Sequence, residues 1–326
     1  MTGPKYRHHL PQLDGGLFLS DGGIETTLIF HDGIELPHFA AFVLLDTEGG
    51  AGTLRRYYEA YLAVAGARGV GMVLEAPTWR ASADWGAKLG YDRAGLRGVN
   101  RRAIELLAAL RTAWETPSSP LVISGAIGPR GDGYKAGIAT IAEAEDYHFE
   151  QVATFADSGA DMISAYTMDS IAEGAGVARA AQRLKMPAAI SFTVETDGHL
   201  ATGESLREAI EAVDAATDGG PAYYMINCAH PVHFEPALQR GEAWTRRILG
   251  IKANASRQSH AELDEATTLD AGNPVELARQ YRTLARRYPS LRLLGGCCGT
   301  DHRHVAAICD AVHGTDRFRV VSGDAA

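Results

Sequence analysis

Two adjacent cysteines, Cys297 and Cys298, sit in the run Gly295-Gly296-Cys297-Cys298-Gly299-Thr300, directly after the apolar stretch Leu291–Leu294. A third, Cys228, closes another apolar stretch, Tyr223-Tyr224-Met225-Ile226-Asn227. Neighbouring residues in a strand point to opposite faces, so the paired sulfurs can meet at one point only if the chain turns there, and the flanking glycines permit that turn. Three thiols at strand ends predict a zinc site whose fourth position is open. Two other readings compete with it. Free cysteines often serve as small buried hydrophobes, and a vicinal disulfide is a rival that requires a strained ring and an oxidising setting. Cys309 differs from the other three: it falls on the apolar face of His304–His313 and reads as core.

Structural zinc sites usually take four protein ligands, often from C-x-x-C knuckles, and no such knuckle occurs here. A three-thiolate set therefore points to chemistry. Three thiolates leave Zn²⁺ with a net charge near −1 and make it a weaker Lewis acid than a histidine-rich centre built to generate hydroxide. The set is better suited to holding a substrate thiol in the open position, deprotonated yet still nucleophilic. The implied reaction is alkylation of a thiol. A zinc hydrolase or deaminase is a second class, weakened because the H-x-E and P-C-x-x-C deaminase signature is missing. A zinc-binding or thiol-sensing protein without turnover is a third.

These residues must be carried by a regular scaffold, and the hydrophobic pattern supplies one. Short apolar runs at Leu17–Ser20, Val70–Leu74, Leu121–Ile127, Asp161–Ala165, Ala188–Phe192, Tyr223–Asn227, Ile248–Ala253 and Leu291–Leu294 read as eight strands. Amphipathic stretches at 52–68, 100–114, 141–157, 170–185, 205–217, 234–247 and 274–288 read as helices between them, with Asn273 capping the last and Asp301 capping a closing helix. Eight β/α alternations predict an α/β fold, a single-domain (β/α)8 TIM barrel spanning residues 1–326. A doubly wound open sheet is the rival, but the first strand turn lacks G-x-G-x-x-G and no P-loop occurs. In a barrel the active site forms at the C-terminal strand ends, where Asp21, Glu75, Cys228, Cys297 and Cys298 all fall. The polar stretch Asn254–Asn273 is expected to cover the mouth.

Composition narrows the partners. A hydrophobic content of 46% supports a large core, and a formal charge of −9 argues against nucleic acid. No apolar run approaches the roughly 20 residues of a membrane span. Four cysteines and a polar, basic N-terminus without a signal pattern fit a cytoplasmic protein. The expected partners are a small-molecule thiol and a methyl donor, with no membrane; a homo-oligomer is compatible with the fold.

Taken together, the residues resemble the zinc-dependent homocysteine S-methyltransferases, a family that includes betaine and S-methylmethionine users. The carriers are Asp21-Gly22-Gly23 with Glu25 and Thr26, Gly125 with Gly128-Pro129, Asn227-Cys228, and the GGCCGT run at 295–300. The resemblance implies zinc held by Cys228, Cys297 and Cys298. It places Asp21 near the substrate amino acid, the Gly22-Gly23 turn around the pocket, and Asn227 beside the ligand cysteine. For Asp21 an ordinary turn aspartate is the alternative, and for Asn227 a strand-end amide bonded to backbone. His230 is expected to support the site rather than to bind metal. One departure is informative: homocysteine-binding members carry a Glu-Thr pair after strand four, where this chain has Tyr166-Thr167. A phenol cannot offset an ammonium charge, so either Glu75 compensates or the thiol or donor differs. Trp79 and Tyr166 are candidates to hold a cationic donor by cation–π contact.

Overall fold

The computed structural model describes residues 3–134 and 139–313. Eight parallel strands close on themselves in sequential order: β1 (Phe18–Leu19), β2 (Gly71–Glu75), β3 (Leu121–Ile127), β4 (Met162–Met168), β5 (Ala188–Phe192), β6 (Tyr223–Asn227), β7 (Ile248–Ala253) and β8 (Leu293–Gly296). The chain is a (β/α)8 barrel. Its strands are buried on both faces and mostly apolar, as a parallel sheet covered by helices requires.

Two apolar clusters follow from the period-2 alternation of side chains. Leu19, Leu74, Ile123, Ile163, Ile190, Ile226 and Ile251 face outward against the helices. Phe18, Val73, Val122, Met162, Ala189, Tyr223 and Leu293 fill the barrel interior. Further along the same inward rows come Glu75 and Ser164, two residues on, and Asn227, four residues on from Tyr223, so strand parity alone aims polar groups at the C-terminal mouth. Strand β7 breaks this parity. Tyr224 pairs with Ile248 but Met225 with Gly250, so Leu249 is an extra, bulged residue. It turns inward into the core, and Lys252 is thereby brought onto the interior face.

The helices flank the barrel much as their pattern predicts. Those at Gly50–Arg68, Arg93–Trp114, Ile141–Ala156, Ile171–Arg183, Leu206–Thr217, Pro274–Arg287 and His302–His313 pack against the sheet. Asn273 accepts from the amides of Val275 and Glu276, and Asp301 from that of Arg303, so both expected caps form. The connection after β6 departs from expectation. In place of a helix over 234–247 the chain makes short turns at Pro231–Phe234, Glu235–Ala237 and Trp244–Arg247, because Pro236 and Gly241 interrupt any continuous helix.

The opposite end of the barrel is closed by the N-terminal segment. Leu10 and Gln12 enter the interior from below, and Gln12 donates to Tyr223 Oη at 3.3 Å. Buried Asp161 anchors that segment by accepting from the amides of Lys5 and Tyr6, while also taking the Ile123 amide and Arg111 at 2.6 Å. No helix among the described residues is long and apolar enough to cross a membrane.

Candidate active site

The three cysteines converge at the barrel mouth. Cys228 Sγ lies 3.0 Å from Cys297 Sγ and 3.6 Å from Cys298 Sγ, and all three sulfurs lie within 4.8 Å of one another. Cys228 adopts a left-handed conformation (φ 57°), which for a residue with a side chain is an uncommon, strained backbone. The loops that carry the sulfurs are tied to β7: the Cys228 amide donates to the Lys252 carbonyl, and the Cys297 amide to that of Ala253. Glycine is required where the β1 and β8 loops touch. A Cβ at Gly23 would sit 2.6 Å from the Cys297 carbonyl oxygen, and one at Gly296 only 2.1 Å from Thr300 Oγ1.

The donor set fits a single soft ion. Tetrahedral zinc with Zn–S bonds of about 2.3 Å spaces its sulfurs about 3.8 Å apart. The 3.6 Å separation already matches, and the 3.0 Å pair needs to open by only about 0.8 Å. Within the cluster Cys297 is the sulfur that ionises most readily: hydrogen bonds from Cys228 and Cys298 hold it well below the usual thiol range, helped by the Lys252 cation. His230 stands apart. Its Nδ1 accepts from the Val232 amide at 3.3 Å, capping Pro231–Phe234, and burial near Arg257 pushes it down to about 4. Cys309 is fully buried in the helix-facing core, where burial raises its thiol to about 12.

Below the sulfurs lies a cavity of about 580 Å³ whose floor is a charge network. Lys252, on β7, donates to Asp21 and, at 3.1 Å, to Ser20 Oγ. Asp21 is further held by the Ser20 hydroxyl at 3.2 Å and the Tyr57 hydroxyl at 3.0 Å. Glu75, on β2, accepts from Tyr166 Oη at 2.7 Å and Ser164 Oγ at 3.1 Å, both on the same oxygen. Burial raises the Glu75 carboxyl, opposed by Lys252 and the Tyr166 hydrogen bond. Burial also works against the charge of Lys252, but Asp21 and Glu75 more than offset it and its pKa stands above the ordinary value. Glu25 lines the wall, and burial reinforced by Cys297 and Asp21 pushes its carboxyl up to about 7.

Asn227 takes a bracing role on β6: its Oδ1 accepts from the Thr167 amide and Ser191 hydroxyl, and its Nδ2 donates to Thr167 Oγ1. This locks Thr167 in a left-handed turn (φ 62°) beside Cys228. The aromatic rings of the site already carry cations of the protein itself. Arg80 lies 3.9 Å over Trp79 and 3.7 Å over Trp85, and Lys252 lies 5.1 Å over Tyr166, so the protein's own cations already cover a face of each ring.

Sequence reasoning missed three residues here. Lys252 was signalled by a lysine near the end of an otherwise apolar strand. Tyr134, whose hydroxyl lies 3.0 Å from Cys228 Sγ and whose ring stacks on His260 at 4.3 Å, carries no local signal. Neither does Asn254, which donates to the Cys228 carbonyl at 2.9 Å. The 254–273 stretch does reach the mouth, where His260, Leu263 and Asp270 line the cavity and the short helix His260–Glu265 stiffens it.

Fold and site together define a (β/α)8 barrel with a three-thiol centre, sized for one ion, above a charged pocket. Residues 18–312 match the family model described as homocysteine S-methyltransferase, and the chain belongs to that family. It is 27% identical to a homocysteine S-methyltransferase of Escherichia coli over 235 residues, covering 68% of this chain and 74% of the relative. A selenocysteine Se-methyltransferase of Brassica oleracea is 22% identical over 319 residues, covering 90% and 88%. Among solved structures, the metallated form of the E. coli homocysteine methyltransferase MmuM shares the fold with a TM-score of 0.72 at 22% identity, covering 91% of this chain and 97% of that one.

Proposed function

We propose that the protein is a zinc-dependent thiol S-methyltransferase that moves a methyl group from a sulfonium or ammonium donor to homocysteine. The carrying observation is the convergence of Cys228, Cys297 and Cys298 within 4.8 Å at the mouth of a pocket large enough for two small metabolites. These three residues would hold the metal. Zinc, when bound there, supplies a soft cation that favours the thiolate form of an acceptor sulfur at neutral pH. The relatives' names support the acceptor class, one naming homocysteine and the other selenocysteine, each an amino acid with a chalcogen nucleophile.

The chain's own residues orient the reaction. Asp21 and Glu75 make the floor anionic around Lys252, the Gly22-Gly23 turn packs closely beneath the Cys297 loop, and Tyr166 and Asn227 brace the inner wall. Glu25 and the exposed Asp270 add further acidic groups to the cavity lining, which suits a cationic donor. Transfer forms a sulfur–methyl bond on the acceptor as the donor–methyl bond breaks, and the donor leaves neutral with the bonding electron pair. Nearly in-line approach is needed, so a rigid wall that fixes the acceptor contributes directly to rate.

The test pairs metal analysis with product analysis. Zinc-loaded protein is incubated with homocysteine and S-methylmethionine or a betaine, and methionine is measured. Cys298→Ala is expected to lose both zinc and turnover, because two thiolates and a water hold zinc far more weakly. Cys309→Ala is expected to retain both. Full zinc occupancy in a Cys297→Ala/Cys298→Ala protein, or no thioether from any sulfonium or ammonium donor, refutes the reading.

A further inference from the structure

We propose that Glu75, held in place by Tyr166, binds the α-ammonium of the acceptor amino acid, and that Lys252 closes Asp21 to this role; this rests on the thiol methyltransferase reading. Two carboxylates sit on the cavity floor, and their hydrogen bonding is unequal. Asp21 has both oxygens engaged, one by Lys252 and Ser20 and the other by Tyr57. A built-in ammonium thus occupies the place a substrate ammonium would seek.

Glu75 is different. Tyr166 and Ser164 both donate to Oε1, while Oε2 is buried and has no hydrogen-bond partner among the described residues. The side chain is only 4% exposed and lines the cavity. A buried carboxylate oxygen without a donor costs free energy until a donor arrives. Asn254 repeats the pattern: it also lines the cavity, its amide nitrogen is spent on the Cys228 carbonyl, and its Oδ1 is buried without a partner among the described residues. Two unpaired acceptors in the same pocket as the sulfurs call for a ligand rich in N–H donors, which an α-ammonium provides and a simple thiol does not.

Of the other acidic residues that line the cavity, Glu25 and Asp132 are half-buried and Asp264 and Asp270 exposed, so none is withdrawn from water as Glu75 is. Tyr166 consequently acts as a positioning residue. Its hydroxyl fixes Oε1, which turns Oε2 into the single free acceptor of that carboxylate. A phenol on β4 with a carboxylate on β2 then does what a carboxylate on β4 would otherwise do, through a contact 91 residues apart in sequence.

The experiment compares two thiols that differ only in the ammonium: L-homocysteine and 4-sulfanylbutanoate. Their affinities for zinc-loaded protein are measured by calorimetric titration without any methyl donor. Wild type is expected to favour homocysteine by about 10- to 100-fold, the value of one charge-assisted hydrogen bond to a buried carboxylate. Glu75→Gln should abolish most of that preference while holding 4-sulfanylbutanoate within about threefold, so the analogue reports whether fold and metal remain intact. Tyr166→Phe, which keeps the carboxylate but frees it, should reduce the preference by about 3- to 10-fold without changing analogue affinity. Equal binding of both thiols by wild type, or equal loss of both in metal-loaded Glu75→Gln, overturns the assignment of Glu75 and leaves the methyltransferase reading standing. Failure of wild type to bind either thiol removes that reading and this inference with it.

Discussion

Around the sulfurs, single residues are tuned by what touches them more than by their type. Glu25 and Asp21 lie four positions apart, yet Glu25 makes no ion pair among the described residues, with Arg80 only partly opposing its burial, whereas Asp21 is closed by Lys252. The folded carboxyl of Glu25 stands at about 7 against an ordinary 4.5, so between those values the folded protein holds a proton that the unfolded chain releases. The stability this contributes is present below about 4.5 and is lost as pH rises through about 7. Glu25→Gln carries no such titration. In metal-free protein the melting temperature of the variant relative to wild type is therefore expected to rise from about pH 5 to about pH 7 and to level off above it. A difference that stays flat across that interval contradicts the raised carboxyl.

Strand β7 shows how one element sets the character of the pocket. Its bulge at Leu249 shifts the inward row by one position and presents Lys252 to the floor, where it is 6% exposed. Buried ion pairs add little net stability against an apolar substitute, but removing one partner leaves a stranded charge. Lys252→Met is expected to destabilise the zinc-loaded protein by about 3–5 kcal/mol in urea unfolding. Neutralising the stranded partner as well, in Lys252→Met/Asp21→Asn, should recover most of that loss. A single variant within about 1 kcal/mol of wild type would mean that Asp21 does not depend on Lys252.

Across the whole molecule the two ends of the barrel are specialised. The mouth collects unpaired acceptors and thiols, while the base is sealed by the N-terminal segment through Asp161. That carboxylate joins four donors from three parts of the chain: residues 5–6, the helix Arg93–Trp114 and strand β3. Asp161→Ala should cost about 3–5 kcal/mol and should release the amides of Lys5 and Tyr6 to fast hydrogen exchange. Unchanged protection of those amides would show that the segment is anchored elsewhere. Because the site lies at the far end, zinc content is expected to be unaffected in molecules that remain folded.

The sequence by itself determined the architecture. Eight apolar runs alternating with amphipathic stretches specify a β/α repeat because strand and helix periodicities are local properties, and the caps at Asn273 and Asp301 are equally local. The strand-end placement of Cys228, Cys297 and Cys298 was legible for the same reason, since glycines and strand termini mark where a chain turns. Proline and glycine at 236 and 241 were also local signals that no continuous helix follows β6, although the apolar spacing of 234–247 masked them. Tertiary structure alone decided the polarity of the pocket. A one-residue bulge reverses the facing of every side chain beyond it, and nothing in the Ile248–Ala253 pattern announces it. The Tyr166–Glu75 and Lys252–Asp21 contacts join residues 91 and 231 positions apart. Such partners are chosen by barrel closure, which brings together strand ends that no local window of sequence contains.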